Sequence, residues 1–210
     1  MAILTQTHIA DRGSEIALVD ETHSVTWAEL DERVNRLVNG LRSHGLVNGD
    51  TIAVIAGNQC EWFEIAMACA HGGWTYVPVN WHWVADELAY VYADAEAKAM
   101  IVDQRFDATV SASLKDDRAK NLSLVVGIGT TSDAAVRNDS RFIDFETVLS
   151  QASADEPADQ MLGGPMFYTS GTTGKPKGVQ RDTGGYAVAL ASSMRLIFGG
   201  NPGETMFTTS

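Results

Sequence analysis

Residues 168–179 read Tyr-Thr-Ser-Gly-Thr-Thr-Gly-Lys-Pro-Lys-Gly-Val. Their types and order make an anion grip. Gly171, Gly174 and Gly178 leave backbone N–H groups free to approach a ligand. Thr169, Ser170, Thr172 and Thr173 carry hydroxyls that donate to phosphate oxygens. Lys175 and Lys177 bring charge, with Arg181 close behind. Successive N–H groups in such a turn form a concave nest for an anion. Pro176 keeps Lys175 out of the helical region, so the loop stays extended there. No acidic residue falls between Asp159 and Asp182, although the whole chain sets 27 acidic against 15 basic residues, a formal net charge of −12. A surface of that sign repels nucleic-acid phosphates and anionic lipid. A polyanion such as ATP therefore needs a local positive device, and this segment is one. A solvated glycine-serine hairpin is the plain alternative. It does not account for hydroxyls, glycines and lysines following one another in order after an apolar strand.

Two other motifs are excluded by position. A mononucleotide P-loop needs Gly where Thr169 stands and Ser or Thr where Pro176 stands. A nucleophile elbow needs Gly two residues before Ser170, where Tyr168 sits.

The elements that must hold this loop are legible as alternating strands and helices. Ile16–Asp20 and Ser24–Thr26 flank a polar turn and predict a hairpin. Thr26 with Glu29 forms a capping box at a helix start. Leu30, Val34, Leu37, Val38 and Leu41 then recur at helical spacing, and Gly45 suits the left-handed position after the helix. Thr51–Ala56, Thr75–Val79, Ala99–Asp103 and Leu122–Val126 read as strands, with Pro78 ending the second. Glu61–Ala70, Asp86–Asp94 and Phe106–Leu114 read as helices between them. Residues 130–140 read as a polar surface loop, and Ala152–Gln160 as an exposed acidic connector into a strand at Pro165–Tyr168. Tyr186–Ile197 is expected to be helical and Thr205–Thr208 to be a strand. The alternation predicts an α/β fold, a mostly parallel sheet with flanking helices. The expected division is residues 1–164 as a first α/β subdomain and 165–210 as the loop with the start of a second, truncated one. A closing strand at the end of the chain suggests that the intact protein continues.

Composition fits a globular protein, with 45% hydrophobic and 20% charged residues. No apolar stretch is long enough to span a membrane, and the first residues lack the pattern of a signal peptide. Cys60 and Cys69 fit neither a redox pair nor a zinc site and are expected as buried free thiols in a reducing cytoplasm. His8, His23, His44 and His71 show no metal-ligand spacing, so no metal ligands are assigned. Trp74, Trp81 and Trp83 with His82 read as core packing rather than the wall of a ligand channel. Asp116 and Asp117 read as a solvated face, and Gly72-Gly73 as the place where a helix closes on the sheet. Arg181 has Asp182 beside it and is weaker as a phosphate ligand. Gly184-Gly185 serves the nucleotide or the turn equally well.

The string YTSGTTGKPKGV resembles the signature of the adenylate-forming superfamily, which includes acyl-CoA synthetases, aryl-CoA ligases, luciferases and peptide-synthetase adenylation domains. VTWAELDERVNRLVNGLRSHGLVNGDTIAVIAGNQCEWFEIAMACAHGGWTYVPVN is similar to that family's opening. The resemblance implies the front part of the family's large N-terminal domain. It implies ATP-dependent activation of a carboxylic acid, fatty or short-chain, to an acyl-adenylate and then to a thioester of coenzyme A. Thr169, Ser170, Gly171, Thr172, Thr173, Gly174, Lys175 and Lys177 would hold the β- and γ-phosphates, with Mg2+ shared between ATP and residues elsewhere. The family's catalytic lysine and ribose-binding acid have no counterpart here and are expected beyond residue 210, so the isolated chain is expected to be inactive. Segment 77–103 resembles synthetases for medium or long fatty acids, whereas segment 178–210 resembles propionyl- and acetyl-CoA synthetases, so the acid is left open. A carrier-protein thiol as acceptor, and a non-catalytic nucleotide-binding module, are the alternatives. Partners are the acid, ATP and CoA, with a homodimer allowed and nucleic acid excluded.

Overall fold

A computed structural model describes residues 6–129, 135–169 and 177–180; for 6–8, 135, 169 and 177–180 it describes the backbone alone. After a short helix α1 (Gln6–Arg12), strands β1 (Ile16–Val19) and β2 (Ser24–Thr26) pair antiparallel. Helix α2 (Trp27–Ser43) begins with the expected capping box: the Glu29 N–H donates to the Thr26 hydroxyl, and the Thr26 N–H donates back to the Glu29 carboxylate at 2.8 Å. Gly45 follows the helix at φ +95°.

The main sheet is built from β3 (Thr51–Ile55), β4 (Thr75–Pro78), β5 (Ala97–Asp103), β6 (Leu124–Ile128), β7 (Phe142–Asp144), β8 (Gly164–Thr169) and β9 (Lys177–Gln180). Their order is β7-β6-β5-β3-β4-β8-β9, parallel except for β9. Helices α3 (Cys60–Gly72), α4 (Ala85–Asp94), α5 (Asp107–Ser113) and α6 (Phe145–Gln151) connect the strands.

Period-two alternation along β3 decides which helix covers which face. Ile52 and Val54 enter one apolar core with Leu30, Leu37 and Leu41 of α2, Ile65 of α3 and Val148 of α6. Ala53 and Ile55 enter the other with Leu88 and Tyr92 of α4 and Val110 of α5. Burial on both faces is why TIAVI is a continuous apolar run. At the end of α3, Gly73 takes a left-handed φ of +74° and its N–H caps the helix on the Cys69 carbonyl.

Several expectations shift. β6 starts at Leu124, two residues later than read, because Leu122 closes a 3-10 turn although it is still buried. The expected helix at 106–114 splits into a 3-10 turn over Gln104–Phe106 and α5. Within the loop expected at 130–140, Ala135–Asn138 forms a 3-10 turn. β7, α6 and β9 were not anticipated. The acidic connector is largely exposed but firmly held. Arg36 donates to the Ala152 carbonyl at 2.6 Å, Asn39 to those of Ser153 and Asp155, and Arg42 to that of Ala158 at 2.5 Å. Cys60 and Cys69 are buried free thiols as expected. Asp116 caps a 3-10 turn and binds Arg118. No helix among the described residues is long and apolar enough to cross a membrane.

Candidate functional site

The sheet brings the two ends of segment 168–179 together. β8 runs parallel to β4, with Tyr76 opposite Pro165, and β9 returns antiparallel with Thr169 opposite Lys177. Both ends of the segment therefore leave the sheet beyond Pro78, at the carboxyl edge of the parallel strands. That edge, where neighbouring strands send their helices to opposite faces, is where open α/β sheets bind ligands. Here α3 follows β3 onto one face, while α4 and α5 follow β4 and β5 onto the other. Thr169 and Lys177 are described as paired strand ends. Ser170, Gly171, Thr172, Thr173, Gly174 and Lys175 lie outside the described residues. So do Arg181, Gly184-Gly185, the expected helix at Tyr186–Ile197 and the strand at Thr205–Thr208.

Tyr168 anchors the approach to the loop. Its hydroxyl donates to Asp94 Oδ2 at 2.7 Å, and Trp83 meets its ring edge-on at 6.4 Å. Burial and the neighbouring Asp94 carboxylate push the phenol well above its ordinary pKa, so it remains a donor. The strand end that enters the loop is thereby tied to the end of α4.

The loops after β4 and β5 furnish the rest of the edge. Trp81 is 57% exposed, stacked on His82 at 3.7 Å and 6.3 Å from Phe106. This corrects the reading of the three tryptophans as one packed group. Trp74 is fully buried at the opposite end of β4, its indole N–H donating to the Val47 carbonyl at 2.9 Å, and Trp83 packs against the second core. Of the three, Trp81 is the exposed one.

Arg105 projects from the turn after β5. Its guanidinium binds the buried carboxylate of Asp103, donates to Gln59 Oε1 at 2.7 Å and lies 5.9 Å from the Phe106 ring. It also covers Gly57, where a Cβ would run into the guanidinium. The edge thus presents a fixed cation, an exposed aromatic ring and the two paired strand ends that flank the glycine- and hydroxyl-rich segment. Arg105 and Asp103 were not singled out from the sequence. The one available signal was their place at the end of an apolar strand.

A second grouping lies where α3 begins. Asp20 Oδ2 accepts the backbone N–H of Cys60 at 2.9 Å. Burial, with the Asp20 carboxylate beside it, pushes the Cys60 thiol up to about 12. His23 stands 3.4 Å from Asp20. The distance in sequence between the two segments hid this meeting.

The described edge is that of a doubly wound α/β protein, with the glycine-rich segment leaving it at the carboxyl ends of the parallel strands. The chain belongs to the AMP-binding enzyme family, whose profile matches residues 5–210. The acetyl-coenzyme A synthetase of Yersinia pseudotuberculosis serotype O:1b is 30% identical over 221 residues, covering 97% of this chain and 34% of its own length. The acetyl-coenzyme A synthetase of Halorhodospira halophila is 30% identical over 219 residues, with the same coverage. The chain thus spans about a third of the length of these curated relatives. Among solved structures, the anthranilate CoA ligase in complex with anthranoyl-AMP superposes with a TM-score of 0.74 at 21% identity, covering 83% of this chain and 33% of that one. The o-succinylbenzoate CoA synthetase of Bacillus subtilis, with its acyl-adenylate, gives 0.64 at 24% identity, covering 92% and 46%. At these identities the structural likeness establishes the fold.

Proposed function

We propose that this chain is the phosphate-gripping portion of an ATP-dependent acid–thiol ligase that makes an acyl-CoA. The observation that carries the reading is the ordered segment at 168–179, bracketed by the paired strand ends Thr169 and Lys177 at the carboxyl edge of the sheet. In the first step a carboxylate oxygen attacks the α-phosphorus of ATP, and pyrophosphate leaves. In the second the sulfur of CoA attacks the acyl carbon, and AMP leaves. Negative charge gathers on the departing pyrophosphate, so donors fixed in advance lower the barrier. Thr169, Ser170, Thr172 and Thr173 supply hydroxyls, Gly171 and Gly174 backbone N–H groups, and Lys175 and Lys177 positive charge.

In this reading residues 165–210 carry the functional segment on the α/β unit of residues 1–164. The carboxylates at the described edge are already engaged, Asp94 by Tyr168 and Asp103 by Arg105. Magnesium would travel with the triphosphate and neutralise phosphate charge there, and neither of these two carboxylates is assigned to it. The acid is a short-chain or fatty acid, and the named relatives favour the short end. The cytoplasm is the expected setting, where Cys60 and Cys69 stay reduced.

The test is acid-dependent ATP–pyrophosphate exchange by the intact protein with acids of graded length. A Thr172→Ala/Thr173→Ala variant should lose exchange by a factor of about 100 or more. Unchanged exchange in that variant would remove the phosphate role. The isolated chain should form no AMP from ATP, acid and CoA, since most of the relatives' length is absent from it.

A further inference from the structure

Asp20 and His23 sit in the turn joining β1 to β2, and Cys60 is the first residue of α3. One ligand atom of each lies within 4.8 Å of the others. The Asp20 side chain is only 9% exposed, Cys60 is 2% exposed, and the His23 side chain is 39% exposed. Asp20 is locked in place. Its Oδ1 accepts from the Thr22 N–H and hydroxyl, both at 2.7 Å, and from the His23 N–H at 3.0 Å, while Oδ2 accepts from Cys60. The Thr22 hydroxyl lies 2.8 Å from His23 Nδ1. A cavity of 310 Å³ opens beside the group, lined by Asp20, Glu21, Gln59, Cys60 and Phe63 among others.

We propose that Asp20, His23 and Cys60 bind a borderline-soft divalent transition-metal ion of the zinc type. The mixed oxygen, nitrogen and sulfur donors select against magnesium and calcium, which take oxygen alone. Zinc at its usual bond lengths holds neighbouring ligand atoms about 3.5 Å apart. His23 Nδ1 already stands 3.4 Å from Asp20 Oδ1, and the exposed His23 ring exchanges its contact with Thr22 for the metal. On binding, the Cys60 S–H bond breaks, its proton passes to water, and a sulfur–metal bond forms. The fourth position faces the cavity and takes a water molecule. The ion clasps the hairpin turn onto the start of α3, a tie that the Asp20–Cys60 hydrogen bond already prefigures. The site does not depend on acid activation by the same chain.

Cobalt(II) reports on it directly, because thiolate ligation adds a sulfur-to-metal charge-transfer band to the visible bands of a four-coordinate ion. The chelator-stripped, reduced chain is titrated with Co2+, and Zn2+ is then added. One equivalent should develop the band, and Zn2+ should bleach it while Mg2+ in excess does not. Cys60→Ser should abolish the band, and Cys69→Ser should keep it. His23→Gln, an exposed change that leaves the fold intact by circular dichroism, should weaken binding by an order of magnitude or more. No band in the native chain, a band that survives in Cys60→Ser, undiminished binding in His23→Gln, or displacement by Mg2+ would each overturn the proposal.

Discussion

Arg33 grips Glu64 through two parallel hydrogen bonds, Nε to Oε1 at 2.7 Å and Nη2 to Oε2 at 3.1 Å, on a carboxylate that solvent does not reach. The same guanidinium reaches Glu146 at 2.7 Å, so α2, α3 and α6 meet at one cation. Burial pushes the Glu64 carboxyl up, and Arg33 acts against that shift.

Removing the cation should therefore be costly. Arg33→Met leaves Glu64 buried without its partner and should lower unfolding free energy by about 3–5 kcal/mol in urea titrations. Glu146→Gln, at the exposed arm, should cost less than about 1 kcal/mol. The double variant Arg33→Met/Glu64→Met should recover most of the loss. A double variant as unstable as the single one would show that the pair holds the helices in register rather than merely neutralising itself.

His71 gives a pH signature. It is 6% exposed, and neither ring nitrogen has a hydrogen-bond partner among the described residues. Burial lowers its pKa to about 4, with Glu156 pulling the other way and Arg42 adding to the lowering. The unfolded chain binds the proton near pH 6.5 and the folded chain only near pH 4. The unfolded state thus holds more protons in that window, and stability falls as pH drops from about 6.5 to about 4. The loss reaches about 3 kcal/mol at most. His71→Leu should flatten this part of the profile in urea titrations at a series of pH values. A profile unchanged by the substitution would mean that His71 is solvated in both states.

Tyr168→Phe removes the hydroxyl that holds the end of β8 to Asp94. Unfolding free energy should drop by about 1 kcal/mol. In the intact protein the KM for ATP should rise in the exchange assay, because the strand end entering the loop loses its anchor. A change in stability with no change in KM would limit Tyr168 to a structural role.

Gly73→Ala should destabilise by about 1–2 kcal/mol, since a side chain at positive φ is strained. Its Cβ would also lie 2.8 Å from that of Met161. Gly45→Ala, at φ +95° with open space around it, isolates the backbone share of that cost. Equal losses at the two sites would show that the contact with Met161 relaxes freely.

Legibility from sequence followed how local each signal was. Thr26 and Glu29 fix the start of α2 within four residues, and TIAVI carries its two-sided burial in its own composition. β7 escaped because Phe-Ile-Asp is too short to show a period; it forms by pairing with β6. β9 escaped because Lys177–Gln180 reads as the tail of the loop until β8 is there to receive it. The ordered segment at 168–179 stands out in the sequence because its residues are contiguous. Asp20 and Cys60, or Asp103 and Gln59 around Arg105, become neighbours only through the sheet, and nothing in their spacing announced it.

The strap over 152–160 has a consequence for how this sequence can drift. Arg36, Asn39 and Arg42 hold it by main-chain carbonyls, which every amino acid possesses. Exposed side chains along the strap can be exchanged while its route from α6 toward β8 is kept, although Pro157 is buried. Selection on that route therefore falls on the helix that does the holding. A recombination joint placed in the strap should be tolerated, and the same joint in α2 should not.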